Sequence, residues 1–198
     1  MESGFTKRQI QRSFEKFHDY VSSVYRSDNV CFTSNFDILI NFLETDDVMK
    51  IISTQLREND VSYEDWVTNL KMWPNGQKIF RLPPDDETKR TALLYKICMK
   101  MYKQDINTVL DFSLPFDSSL RGLDGCVQFF NNNILHPLID SIHYKIEDIS
   151  ELIDENYKET MVIPVNVFYV FQDNSVSLGN KNVFGQDTVI GGGANLEK

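Results

Sequence analysis

What limits the fold of this chain first is the spacing of its apolar residues. Ile10, Phe14, Phe17, Val21 and Val24 recur at steps of four, three, four and three. That is the stripe by which one face of an α-helix turns to a core. Thr6 stands where such a helix needs a cap, and the polar run Arg26-Ser27-Asp28-Asn29 ends it. The same grammar continues to about residue 155. A second helix carries Leu39, Phe42 and Leu43. Thr45-Asp46-Asp47 opens a third, with Ile51, Ile52 and Leu56 inward. Ser62 with Asp65 three residues on forms a near-capping box leading to Trp66, Leu70 and Trp73, before Pro74-Asn75-Gly76 breaks the chain. Pro83-Pro84-Asp85-Asp86-Glu87 starts the next helix, expected to reach about Lys103 and to bury Leu93, Leu94, Ile97 and Met101. Residues 105–119 read as irregular. A last helical stretch runs from about Leu120 to Asp154, with Pro137 predicting a kink or two abutting helices.

After Tyr157 the pattern changes. Met161 to Phe171 is rich in Val, Ile, Tyr and Phe and reads as a strand covered on both faces. Val165, Val167, Tyr169 and Phe171 fall on one side of it, with Phe168 and Val170 on the other. From Asn174 the tail reads in sixes, NSVSLG, NKNVFG, QDTVIG and GGANLE. Leu178, Phe184, Ile190 and Leu196 fall six apart, and Gly179, Gly185 and Gly191 follow the first three. This register resembles the hexapeptide repeat of left-handed parallel β-helices. Its roughly 24 residues make about one coil, and one coil cannot bury its own apolar residues. The alternatives are short hairpins with glycine turns or a floppy Gly/Asn tail, or a coil or strand set that stacks on another copy or a partner. The expected architecture is mainly α with a C-terminal β segment: a helical domain over 1–157 and a β-rich tail over 158–198.

Composition fits a folded chain without a membrane span. The hydrophobic share is 41% with 14 Phe, which suffices for a core. No apolar run approaches the ~20 residues a bilayer helix needs, and the N-terminal sequence is amphipathic, unlike a signal segment. Cys31, Cys98 and Cys126 lie far apart without CxxC spacing, as expected of free thiols in a reducing cytoplasm. Acidic residues outnumber basic ones 29 to 20, a net charge of −9 that opposes general nucleic-acid binding.

Chemistry-bearing residues are few. His136, Asp140, His143 and Glu147 recur at steps of four, three and four, so they form one stripe of the last helix. Imidazoles and carboxylates at that spacing could bind a divalent transition metal. The HExxH order is absent, however, and the apolar face Leu135, Ile139, Ile142, Ile146, Ile149 and Ile153 lies beside the stripe. A solvated or interface flank is therefore the favoured reading, and no cofactor is expected. Lys89, Lys96, Lys100 and Lys103 form a basic stripe with Tyr95 and Tyr102 nearby, a pattern compatible with phosphate contacts. Against the net charge it reads as a solvated face. Phosphate-binding loops, dinucleotide fingerprints and nucleophile elbows are absent from the sequence. Asp46-Asp47 and Asp85-Asp86 read as helix-start charges.

The segment from Phe129 to Leu138, FFNNNILHPL, followed by a long helix and an Asn/Gly-rich tail, resembles a loose class of uncharacterised bacterial proteins. In that class a helical domain precedes a repetitive tail, and some members sit among phage-defence or other conflict genes. The resemblance tilts the reading towards a non-enzymatic interaction or assembly module with a protein partner or a second copy, and the hexapeptide-like tail itself points to a homo-oligomer assembled through Leu178, Phe184, Ile190 and Leu196. Two other classes stay open: a metal-dependent hydrolase using the histidine stripe, and an acidic inhibitor that occupies a partner's basic groove.

Overall fold

Thr6 ends one element and caps the next. Its Oγ1 accepts from Gln9 N at 3.3 Å while its own N–H donates to Gln9 Oε1 at 2.9 Å, a complete capping box. The computed structural model describes residues 4–83 and 86–171. It opens with strand β1, Gly4–Thr6, and helix α1, Lys7–Tyr25, whose stripe Ile10, Phe14, Phe17, Val21 and Val24 is buried as its spacing predicts. Helix α2, Asn29–Thr45, returns along α1, and α3, Met49–Glu58, follows a short turn. Asp46 makes that turn: Oδ1 accepts from the N–H groups of Val48 and Met49, each at 3.1 Å, and Oδ2 accepts from Ser13 Oγ at 3.0 Å. Ser62 caps the short α4, Tyr63–Thr68, through Asp65 N.

Helix α5, Glu87–Met101, is the centre of the molecule. Asp86 caps it, and Thr91 to Tyr95, Ile97, Cys98 and Met101 are buried, so apolar cover reaches it from nearly every side. It packs on α3, on α4 and on the long helix His136–Asn156. It stops two residues short of Lys103, which adopts a left-handed φ of 60° and donates its N–H to Asp37 Oδ1 at 2.9 Å.

Two expectations are corrected, and one, at Pro137, is met. Within 105–119 there is a helix, α6, Ile106–Ser113, capped by Asp105 and burying Val109 and Phe112 against α7, Gly122–Phe130. Packing, not propensity, makes it: Phe112 lies against both Phe116 and Phe130. Near Pro137 the stretch divides into two abutting α-helices, as expected. A π-helical turn, Asn131–Leu135, joins α7 to α8, His136–Asn156, and the wider turn accommodates a residue that has no N–H to donate. The expected strand over 161–171 is short. Only Val162–Pro164 is strand (β2), and Val165–Phe168 winds into a 3₁₀ turn.

The sheet is β1 with β2, antiparallel, Phe5 opposite Ile163. The molecule is thus mainly helical with a small β segment, and the strand partner comes from the N-terminus. A Cβ on Gly4 would stand 2.5 Å from the Ile163 carbonyl oxygen, so only glycine allows this approach. Ile163, Val167, Phe168 and Phe171 are buried in the helical core, whereas Val162 and Tyr169 are exposed; the expected cover on both faces is not complete. The Gln55 amide fastens the segment, donating from Nε2 to Phe168 O at 2.7 Å and accepting at Oε1 from Phe171 N at 2.9 Å. The described start of the 158–198 tail therefore shares the core of the helical body.

Candidate functional site

Helices α1 and α8 run antiparallel and meet along one seam. Lys7 Nζ pairs with Asp154 at 3.0 Å, the His18 and His143 rings lie 4.8 Å apart edge to face, and Tyr25 and His136 lie 4.4 Å apart. The steps are eleven and seven residues on each helix, in opposite order, close to three turns and two turns. One stripe of each helix therefore supplies every contact. All three histidines of the chain sit on it.

The histidine stripe predicted from the sequence is thus the α8 side of a helix–helix seam. His136 packs on Tyr25. Tyr25 is pushed up to about 12, first by burial and then by the nearby Asp140 carboxylate. His143 Nε2 lies 3.0 Å from Glu147 Oε1. Burial, then His143, hold His18 below the ordinary imidazole range, opposed by Glu147 and Asp19. The four residues engage α1 one after another and do not converge on a point. Among the described residues no group of three or more His, Cys, Asp or Glu side chains is placed to hold a metal ion. His18 is the member that stripe-reading on α8 missed. Its signal was the repeated pair of intervals: Lys7, His18 and Tyr25 mirror Asp154, His143 and His136.

Between the ion pair and the histidine pair, residues of both helices line an open groove of about 720 Å³. Ile10, Phe14, Ile146 and Ile153 form its floor. Glu15, Glu147, Glu151, Asp154 and Glu159 stand among its walls, with Lys7, already paired, as the lysine. Helix α8 carries six carboxylates (Asp140, Glu147, Asp148, Glu151, Asp154, Glu155) against Lys145, a net of −5 out of the chain's −9.

The lysine stripe is used differently from a phosphate-binding face. Lys96 Nζ donates to the carbonyls of Asn59 and Val61 at 2.6 and 2.7 Å, Lys100 pairs with Glu64 at 2.7 Å, and Lys89 lies 3.9 Å from Asp60. Lys103 stacks its ammonium over Tyr102. Lys89, Lys96 and Lys100 fasten the 59–64 segment to α5.

A second cavity, about 470 Å³, lies between α4 and the 71–79 hairpin, lined by Val61, Trp66, Leu70, Ile79 and Leu82 among others. Trp73 and Met72 stand 56% and 65% exposed in that hairpin, whose turn needs Gly76 at a φ of 83°. The assembly residues Leu178, Phe184, Ile190 and Leu196 lie outside the described residues. No described helix is long and apolar enough to cross a membrane. Comparison of the chain with family models, curated proteins and solved structures gives no match.

Proposed function

We propose that this protein is a non-enzymatic protein-interaction module whose working surface is the α1–α8 groove, in a bacterial or phage-related system. The observation that carries the reading is the contrast between spent and unspent side chains. The histidines and Lys89, Lys96 and Lys100 are engaged in holding helices and loops together, while Glu151 and Glu159 stand exposed at the groove above a floor of Ile10, Phe14, Ile146 and Ile153. The tail supports a second contact, self-association. Leu178, Phe184, Ile190 and Leu196 at hexapeptide spacing would each contribute ~1.5–3 kcal/mol on full burial, against an association cost of ~4–15 kcal/mol. The resemblance of residues 129–138 to helical proteins of conflict systems agrees with a binding role.

Photo-crosslinking in cells tests the reading. A benzoylphenylalanine placed at Glu151, in the groove, should give a discrete higher-mass adduct, and one placed at Val30, which is exposed on α2, should give none. Adducts of equal strength from both positions, or none from Glu151, would refute it.

A further inference from the structure

We infer that the α1–α8 groove receives a lysine- or arginine-rich amphipathic helix of a partner protein, an inference resting on the interaction reading above. Groove length comes first. Lys7 to His18 and His143 to Asp154 each span eleven residues, a rise of ~16 Å or three helical turns. A partner helix of three to four turns matches that length and could lay apolar residues at i, i+3, i+4 and i+7 along the floor.

Charge chooses the rest of the partner. Five carboxylates and one lysine line the groove, a net of −4, with Lys7 and Asp154 paired to each other and Glu147 beside His143. An acidic or phosphorylated segment would meet like charge along its whole length. A basic one would meet complementary charge, and the −5 of α8 would also steer its approach. Cationic side chains flanking an apolar stripe satisfy both floor and walls.

The test uses the full-length protein and labelled 14-residue peptides, with binding read by fluorescence anisotropy at about 150 mM salt. One peptide carries leucines at helical spacing among lysines, a second replaces lysine by glutamate, and a third contains lysines with glycine and serine but no leucine. The Leu/Lys peptide should bind at least tenfold more tightly than either of the others. Gln11→Trp, which fills the groove from an exposed position of α1, should weaken it about tenfold. The double variant Glu147→Lys/Glu151→Lys should shift preference towards the Leu/Glu peptide. Circular dichroism confirms that each variant is folded.

Equal binding of the lysine peptide without leucine, or of Leu/Lys peptide to the Gln11→Trp variant, would mean diffuse charge attraction and would overturn the inference. A Glu151 adduct in cells that the Leu/Lys peptide does not compete would leave the interaction reading standing and reject a basic helix as its partner.

Discussion

Gln55 decides how the end of the described chain is held. Its amide is the side chain that answers both Phe168 O and Phe171 N, 113 and 116 residues away. Removing it leaves a donor and an acceptor unpaired in a partly buried setting, where each costs ~1–3 kcal/mol. Gln55→Ala should therefore lower stability by about 2–3 kcal/mol, seen in urea as a lower midpoint with little change in slope. A loss below about 0.5 kcal/mol would mean that the apolar cover of Phe168 and Phe171 holds the segment without the amide. Tyr95 is a second residue of this kind. Its hydroxyl donates to Glu44, which also pairs with Arg57, and burial followed by that hydrogen bond pushes its ionisation far above the ordinary phenol range.

The elements carry two further expectations. On α5, Lys96 donates to two main-chain carbonyls of the loop after α3, so Lys96→Met should destabilise by ~1–3 kcal/mol. Oligonucleotides should not be retained by the native protein at ~150 mM salt. Retention that disappears in a Lys96→Met/Lys100→Met variant would restore the phosphate-binding reading of the stripe.

On the α1–α8 seam the expectation concerns pH. His18 is held below its ordinary value of 6.5 in the fold, by burial and by His143, with Glu147 and Asp19 opposing. The unfolded chain therefore takes up this proton at a higher pH than the folded one. The contribution is complete above about pH 6.5 and is lost as pH falls through the window beneath it. His18 is solvent-exposed, so the effect is small. Thermal melts of wild type and His18→Asn at pH 7.5 and 5.5 should show wild type losing more stability on acidification. A variant that loses more than wild type would reverse the sign and sink the account.

For the whole molecule, the described core extends as far as Phe171. A chain ending at Asp173 should keep its helical circular dichroism, since Ile163, Val167, Phe168 and Phe171 are already seated. If the tail connects copies, light scattering at micromolar concentration should give a multiple of the chain mass for the full protein and the monomer mass for the shortened one. Two monomers, with the shortened one merely less stable, would make the tail a cover within one chain.

The residue pattern alone determined much of this protein: the helical class, the inward faces of α1, α5 and α8, and the caps at Thr6, Ser62 and Asp86. Those features are local, set by spacings of three and four and by side chains within three residues of the backbone they serve. The tertiary structure decided what needed partners distant in sequence. Helix α6 exists because Phe112 finds Phe116 and Phe130; the 165–168 turn replaces a strand because β2 has three residues of β1 to pair with. The histidine stripe was legible as a stripe, but its meaning was not. Periodicity fixes which side chains share a face, and only the packing of α1 against α8 fixed that His143 would meet His18, a residue 125 positions away, and leave beside it an acidic groove open to solvent.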